Sequence, residues 1–299
     1  MLHDLYTPEG ETLTGTPWDI YPRPQLKRDS YVNLNGIWDF AVSVSEDAPV
    51  FDKKILVPFC PESLLSGIHQ HFEEGVALWY RQSFSLPASF KGNRILLHIG
   101  AADQFLTCYI NGNYVGSNSF GYNSITFDIT KTVSQQNTIE LRTIDDLRNT
   151  SMPYGKQTEK RGGMWYTPVS GIWQTVWLES VPERYIRSLN IENRGGSVII
   201  DTGDASLEGA VTAAGQGVYP LDGGKVTVTP EKPHYWSPED PYLYEFTVTA
   251  GEDRVEAYFA LRSLEIKTVD GLPRLCLNGK PYFFHGLLDQ GYWPDGLFT

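Results

Sequence analysis

The chain has 299 residues, a length that suits about two domains rather than one. Its formal net charge of -12 and its pI of about 4.9 exclude nucleic acid and anionic membrane surfaces as expected partners. The three cysteines, Cys60, Cys108 and Cys276, lie far apart without a CxxC pair, so we expect buried free thiols rather than a zinc site or a disulfide framework.

The N-terminal stretch MLHDLYTPEGETLTGT has no basic start followed by an apolar run, so it does not resemble a secretory signal. No segment approaches the roughly 18 consecutive apolar residues of a membrane span. These two observations predict a cytoplasmic protein that does not bind a membrane.

Apolar residues alternate with polar ones along most of the chain, which is typical of β-strands with one buried face. The stretch FLTCYINGNYVG predicts a hairpin that turns at Asn111-Gly112, and RLCLNGKPYFF predicts another at Asn278-Gly279. Further alternating stretches are SITFDIT, NTIELRTI, KVTVTP and YEFTVTA. No long stretch has a 3.6-residue period, so the sequence predicts an all-β protein.

A domain boundary is expected in LESVPERYIRSLNIENRGG, where Pro182 and Glu183 separate two predicted strands. Residues 1–180 then form one large β-sandwich. Residues 181–267 form a second sandwich of the size expected for an immunoglobulin-like domain. Residues 268–299 form a connector that carries the second predicted hairpin.

Motifs for several catalytic classes are missing from the sequence. It contains no G-x-S-x-G elbow, no P-loop and no strand-GxGxxG-helix unit, and we predict no cofactor. His69 and His71 would share one face of a strand, but no third metal ligand is apparent. We therefore predict no metal site.

A long loop before the strand WQTVWLE carries aromatic rings beside amide and cationic groups. Its candidates for contact with a substrate are Tyr154, Gln157, Arg161 and Trp165. Rings stack on the C–H faces of sugars while polar groups pair with hydroxyls, so the loop at 151–169 suits a hydroxyl-rich ligand. Docking of the loop on a neighbouring domain is the alternative interpretation, and the two are compatible.

Five blocks, taken together and in order, resemble glycoside hydrolase family 2, the group of β-galactosidases, β-glucuronidases and β-mannosidases. The blocks are RPQLKRDSYVNLNGIWDF, VPFCPESLLSGI with LWYRQSFSLP, LLHIGAADQFLTCYINGNYVGSNSFGYNSITFDIT, PYGKQ with GMWYTPVSGIWQTVWLE, and LRSLEIK with LCLNGKPYFFHG. They extend over essentially the whole chain.

The resemblance implies a fold and an activity. Residues 1–180 would be a jelly-roll sugar-binding domain and residues 181–267 an immunoglobulin-like domain. PYFFHG would be the first strand of a truncated (β/α)₈ barrel within 268–299. The family hydrolyses β-glycosides with retention of configuration, using two glutamates about 5–5.5 Å apart.

The family's acid/base glutamate follows an asparagine, and no Asn of this chain is followed by Glu. The resemblance therefore implies that the chain holds no catalytic residue and is inactive alone, although the parent protein hydrolyses carbohydrate. Expected partners are the β-glycoside substrate and the chain's own catalytic barrel, and the resemblance allows a homo-oligomer. The sugar stays open between galactose, glucuronate and mannose.

The terminal stretch FFHGLLDQGYWPDGLFT differs from the better-known members of the family. Asp289 and Gln290 occupy the positions of a basic residue and a histidine near the substrate, so both are candidates for substrate contact or for capping the loop. Gly162 and Gly163 stand before Met164-Trp165, where β-galactosidases place an acid. Without a barrel, we expect this stretch to be poorly ordered or docked on a non-native surface.

Two other functions fit the same residues. A lectin-like β-sandwich would bind carbohydrate without hydrolysing it, since jelly rolls also serve lectins. A purely structural role predicts a defined dimer and no sugar binding.

Overall fold

A computed structural model describes residues 4–44, 49–73, 75–90, 93–147, 149, 151–160 and 162–299. Across these residues the chain forms 22 strands and one short helix, α1, over Pro8–Thr12. Thr7 caps this helix, because its Oγ1 accepts a hydrogen bond of 3.0 Å from the Gly10 N–H. The all-β class predicted from the alternating pattern is thus confirmed.

The chain divides into two compact units that are each built from separate stretches of sequence. Unit 1 contains Met1–Ile20, Ser30–Ser180 and Gln290–Thr299, and unit 2 contains Tyr21–Asp29 and Val181–Asp289. The sequence predicts three consecutive segments instead. Residues 21–29 therefore belong with residues 181–289, and residues 290–299 belong with residues 30–180. Contacts between segments so far apart in the chain leave no local pattern in the sequence.

Unit 1 holds three antiparallel sheets. Its strands are β1 Tyr31–Asn33, β2 Gly36–Ser43, β3 Lys53–Val57, β4 Ala77–Ser85, β5 Arg94–Ile99, β6 Ala102–Asp103, β7 Phe105–Ile110, β8 Asn113–Asn118, β9 Ile125–Asp128, β10 Gln136–Ile144, β11 Gly171–Ile172 and β12 Val176–Val181. The strand orders are β1-β12-β5-β9, β3-β2-β4-β10-β7-β8 and β11-β6.

The core of unit 1 draws its side chains from both of the larger sheets. Trp38 and Leu141 come from the six-stranded sheet, and Leu97 and Leu178 come from the four-stranded sheet. Each such side chain stabilises the fold by about 1.5–3 kcal/mol through burial. The buried indole of Trp38 donates a hydrogen bond of 2.8 Å to the Leu34 carbonyl, so its polar atom is satisfied.

Both hairpins predicted from Asn-Gly pairs are confirmed. Asn111 and Gly112 join β7 to β8 with φ of 52° and 76°. Asn278 and Gly279 adopt φ of 51° and 79° and join the last two strands of unit 2. A type I′ turn needs positive φ at both central residues, and Asn and Gly tolerate it.

Unit 2 also holds three antiparallel sheets. Its strands are β13 Asn190–Asn193, β14 Val198–Asp201, β15 Gly209–Ala213, β16 Gly217–Pro220, β17 Lys225–Val228, β18 Tyr244–Ala250, β19 Asp253–Phe259, β20 Leu264–Val269, β21 Leu272–Leu277 and β22 Lys280–Pro281. The strand orders are β13-β14-β17, β16-β15-β18-β19 and β20-β21-β22.

A buried ion pair ties residues 21–29 to the rest of unit 2. Arg28 donates from Nε and one terminal nitrogen to the two carboxylate oxygens of Asp253, at 2.9 and 2.7 Å. The same nitrogen donates to the Ile186 carbonyl, and the Ile186 N–H donates to Asp253. Both charged side chains are almost fully buried, and Leu26 joins the unit 2 core beside them.

The sheet β20-β21-β22 leaves one apolar face exposed. Leu264, Ile266 and Leu275 lie on that face, because Leu264 pairs with Leu277 and Ile266 with Leu275. The strand expected over PYFFHG ends at Pro281, and residues 282–290 form no strand. A barrel strand gains its hydrogen bonds from parallel neighbours on both sides, and β22 pairs only with β21.

The remaining expectations concern cysteines, metals and membranes. All three cysteines are free and buried, as predicted. His69 and His71 are exposed and lie outside any strand, and no metal-binding cluster occurs among the described residues. In the described part of the chain, no helix is long and apolar enough to cross a bilayer.

Candidate functional site

Residues 290–299, here called the terminal strap, pack on unit 1 rather than continuing the sheet of unit 2. Tyr292 stacks on Tyr166 with ring centroids 4.5 Å apart, and its hydroxyl donates a hydrogen bond of 2.9 Å to the Thr167 carbonyl. The Thr299 hydroxyl donates to the carbonyls of Pro58 and Trp173. The strap is thus fixed to unit 1 by both rings and hydrogen bonds.

Five aromatic rings pack together where the strap meets three connecting segments of unit 1, and we call them the ring cluster. Its members are Tyr122, Tyr166, Trp173, Tyr292 and Phe298. Phe298 lies at the centre, with centroids 5.0 Å from Trp173, 5.0 Å from Tyr292 and 6.0 Å from Tyr122. Tilted and edge-on pairs at these distances add about 0.5–1.5 kcal/mol each beyond burial.

Asp295 anchors the strap to the N-terminal helix. Its side chain is 1% exposed, and one carboxylate oxygen accepts hydrogen bonds of 2.8 Å from both the N–H and the hydroxyl of Thr7. Its backbone carbonyl accepts a third bond from the Leu65 N–H, at 3.1 Å. Asp295 therefore ties the strap to two further parts of unit 1, the start of α1 and the segment around Leu65.

Gln157 holds the long loop of unit 1 in place. Its side-chain oxygen accepts a hydrogen bond of 2.6 Å from the Val169 N–H, and its Nε2 donates a bond of 2.9 Å to the Tyr122 hydroxyl. The side chain is 3% exposed. Gln157 therefore positions Tyr122 and the loop, and its amide is not presented to a ligand.

The other substrate-contact candidates are spread over the two units. Tyr154 is half-buried, and its carbonyl accepts a bond from the Gln157 N–H. Trp165, with 44% of its surface exposed, lies in a turn closed by its N–H and the Gly162 carbonyl. Asp289 and Gln290 are exposed, in unit 2 and unit 1 respectively. Arg161 lies outside the described residues.

Two buried carboxyl groups lie beside the ring cluster. Glu62 accepts hydrogen bonds from the hydroxyl and the N–H of Ser170, at 2.6 and 3.2 Å. Asp103, 3% exposed, lies on β6 against Gly121, whose carbonyl accepts the indole N–H of Trp173 at 2.8 Å. The Asp103 Oδ1 atom has no hydrogen-bond partner among the described residues.

Burial controls the charge of both acids. Desolvation raises the pKa of Glu62 to about 7, although the bonds from Ser170 lower it. Desolvation, followed by the negative charges of Asp145 and Glu62, raises the pKa of Asp103 to about 8. Burial and the charge of Asp103 also raise the pKa of the Tyr122 hydroxyl. The site therefore holds neutral carboxyl groups below pH 7, which can donate as well as accept hydrogen bonds.

The sequence prediction missed the residues that organise this site. Glu62 follows Cys60-Pro61 in a segment without regular structure, and Asp103 interrupts an apolar stretch just before β7. An acid among apolar neighbours is the one local signal that could have drawn attention to Asp103. Nothing local marks Tyr292 and Phe298, because their partners lie more than 100 positions earlier in the chain.

Comparison with known proteins found a family model and several relatives that match this chain. The model of the family Glycosyl hydrolases family 2 matches residues 185–262, within unit 2. A β-galactosidase of Thermoanaerobacter pseudethanolicus is 23% identical over 86% of this chain and 38% of its own length. A β-glucuronidase of Felis catus is 24% identical over 90% of this chain and 49% of its own length. The family match and these relatives together support membership of glycosyl hydrolase family 2.

Solved structures of the family share the fold. A β-glucuronidase from Ruminococcus gnavus, in complex with uronic isofagomine, superimposes with a TM-score of 0.70 at 20% identity. The match covers 92% of this chain and 51% of that one. A β-glucuronidase of an uncultured Clostridium species gives a TM-score of 0.69 and likewise has 49% of its chain covered. The chain thus spans about half the length of the family members that it matches, or less.

Replacing Glu62 with Gln is expected to flatten the dependence of stability on pH. As the pH rises from about 4.5 to about 7, the unfolded chain loses the Glu62 proton while the native chain keeps it. The free energy of unfolding therefore falls by up to about 1.4 kcal/mol per pH unit in that window. A glutamine can accept from the Ser170 N–H and donate to its hydroxyl, so we expect E62Q to be more stable than the wild type at pH 8. Urea unfolding at pH 5, 6, 7 and 8 measures this.

The matched control is E11Q, a change at an exposed carboxylate of α1. It should leave the shape of the pH profile unchanged. Asp103 still titrates in E62Q, so a shallower slope is expected rather than a level line. An E62Q profile as steep as that of the wild type would show that Glu62 does not carry the effect.

Proposed function

We propose that the chain supplies the non-catalytic domains of a retaining β-glycosidase that acts on carbohydrate. In this proposal unit 1 is the jelly-roll, sugar-binding domain, and most of unit 2 is the immunoglobulin-like domain. The catalytic glutamates belong to a (β/α)₈ barrel outside these 299 residues. The sugar is a hexose or a hexuronic acid in β-linkage.

One observation carries the proposal. Proteins named β-galactosidase and β-glucuronidase align along 86–90% of this chain, while the chain spans only 38–49% of their length. The absence of any Asn-Glu pair supports the placement of the catalytic residues elsewhere. Active sites of (β/α)₈ barrels form from several strand ends, and the described chain has no parallel sheet to supply them.

The exposed apolar face of β20-β21-β22 supports a neighbouring domain. Leu264, Ile266 and Leu275 are exposed, and Leu287 and Leu288 are more than 85% exposed in the stretch that follows. Exposed apolar side chains grouped on one face of a sheet are typical of an interaction site in a soluble protein. In our proposal, the barrel covers it.

Within the proposal, the loop at 151–169 forms part of one wall of the sugar pocket. Gln157 braces this loop from within, and Trp165 presents an exposed ring that can stack on a sugar. Tyr154, Asp289, Gln290 and Arg161 stay candidates for contact with the substrate. A neutral Asp103 would add a hydrogen-bond donor next to the ring cluster.

The test compares the purified chain with the product of the gene extended past codon 299. We expect the 299-residue chain to show no turnover of 4-nitrophenyl β-galactoside, β-glucuronide or β-mannoside. The extended protein should hydrolyse at least one of them, with retention visible by NMR of the first-formed sugar. Turnover by the 299-residue chain would contradict the proposal.

A carbohydrate-binding role without hydrolysis is the second candidate, and the exposed ring of Trp165 favours it. Titration of the chain with monosaccharides, followed by tryptophan fluorescence, separates the two. Millimolar or tighter binding that is lost on Trp165→Ala, with no activity in the extended protein, would favour the binding role.

A further inference from the structure

Unit 2 contains a cavity of about 520 Å³ that is separate from the ring cluster. Its walls come from β13, from the end of β19 and from the segment around Trp236, with Gln25 at one side. Small-molecule sites in proteins usually measure about 300–1,000 Å³, so the cavity has room for one or two sugar rings. We call it the unit 2 cavity.

The charge of the cavity differs from that of the whole chain. Arg262 is the one charged residue among those that line it, and none of them carries a carboxylate. The guanidinium lies 5.2 Å from the centre of the Trp236 ring, a cation–π contact that restrains it at the cavity. Among the described residues, no carboxylate forms an ion pair with Arg262. In a chain of net charge -12, the cavity therefore favours an anion.

The other polar groups of the cavity suit hydroxyls. The Asn193 amide donates to the Ala260 carbonyl, which leaves its side-chain oxygen as an acceptor. Gln25 likewise donates to the Tyr258 carbonyl, at 3.1 Å. Asn190 is exposed and lines the cavity, and an asparagine amide can both donate and accept. Fixed amides beside aromatic rings are typical of sites for hydroxyl-rich ligands.

We propose that the unit 2 cavity binds a saccharide that carries a carboxylate, a hexuronic acid or a chain of them. The planar guanidinium of Arg262 pairs with the carboxylate through two parallel hydrogen bonds. The Asn190 and Asn193 amides pair with ring hydroxyls, and the Trp236 and Tyr258 side chains contact the C–H faces. This site is non-catalytic and does not depend on the proposed glycosidase activity.

The test uses the whole 299-residue chain with D-glucuronate, D-glucose and acetate as probes. Isothermal titration and saturation-transfer NMR should show saturable binding of glucuronate in the millimolar range. Glucose lacks the carboxylate and acetate lacks the ring, so each should bind at least about tenfold more weakly. Trigalacturonate is the fourth probe. Tighter binding of this trisaccharide than of glucuronate would indicate a polysaccharide as the natural ligand, and equal binding would indicate a free hexuronic acid.

Two variants locate the site. Arg262→Gln should weaken glucuronate binding by about tenfold or more, and Asn190→Ala by a smaller factor. Arg274→Gln changes an exposed arginine of β21 that does not line the cavity, so it should leave binding unchanged. Thermal unfolding of each variant checks that the fold is intact.

Three results would overturn the proposal. They are the absence of saturable glucuronate binding, equal binding of glucuronate and glucose or acetate, and unchanged binding in Arg262→Gln. These binding measurements do not use glycosidase turnover. Failure of the proposed glycosidase function and failure of this binding site are therefore distinguishable.

Discussion

Replacing Asp253 with Asn is expected to lower the free energy of unfolding of unit 2 by about 3–5 kcal/mol. The change leaves the Arg28 guanidinium buried without its counter-ion, and it removes charge from the acceptor of the Ile186 N–H. A buried charge without its partner costs far more than a lost surface pair, because water cannot solvate it. Urea unfolding followed by circular dichroism measures the loss.

The neighbouring residue supplies the control. Arg254 pairs with Glu256 at 2.9 Å, but both side chains are largely exposed. Arg254→Gln should therefore change the free energy of unfolding by less than about 1 kcal/mol. The double variant Arg28→Met with Asp253→Leu should recover part of the stability that D253N loses, because it removes both charges from the core but leaves the Ile186 N–H and carbonyl without these partners. Equal effects of D253N and Arg254→Gln would refute the assignment of a buried pair.

Gly171→Ala is expected to destabilise unit 1 by about 3 kcal/mol or more and to displace the site. Gly171 adopts φ of 73°, and an added Cβ would lie 2.0 Å from the hydroxyl of the fully buried Tyr80. A left-handed conformation costs an alanine about 1–2 kcal/mol, and overpacking a core adds about 1–3 kcal/mol. Ser170, which donates to Glu62, would move with its neighbour.

Gly112→Ala provides the comparison for Gly171→Ala. Gly112 has φ of 76°, but nothing lies within 4 Å of its added Cβ. Its cost should stay near the 1–2 kcal/mol of the backbone conformation alone. Guanidinium unfolding of both variants, monitored by tryptophan fluorescence, isolates the clash with Tyr80. If both variants lose a similar free energy of unfolding, the core around Tyr80 rearranges to accommodate the extra methyl group, and the predicted clash is wrong.

Strands with one exposed face were predictable because one residue in two along them is buried. Ile139 and Leu141 are fully buried on β10, as the alternation in NTIELRTI predicts. The Asn-Gly turns were predictable for a similar reason, since few residue pairs accept positive φ twice. Strands and turns could therefore be predicted from sequence where burial or backbone conformation restricts neighbouring residues.

The residues of the candidate site were harder to predict from the sequence. Gln157 was a candidate for substrate contact, and in the structure its amide oxygen accepts from Val169 while its amide nitrogen donates to Tyr122. The strap residues Tyr292 and Phe298 find partners through tertiary packing alone. Glu62 and Asp103 are distinguished by burial, and burial of a carboxyl group is a property of the fold rather than of its neighbours in sequence.

The interleaved path of the chain sets limits on how the protein can be dissected. A fragment that begins at Val181 lacks Arg28 and leaves the Asp253 carboxylate buried without its guanidinium. A fragment that stops at Ser180 lacks Asp295 and the two strap rings, so Thr7 loses the Asp295 carboxylate and Trp173 loses the Phe298 ring. An autonomous unit 2 would need residues 21–29 fused ahead of 181–289, and an autonomous unit 1 would need residues 1–20, 30–180 and 290–299 joined together. Genetic exchange between relatives must therefore carry two separate gene segments for unit 2 and three for unit 1.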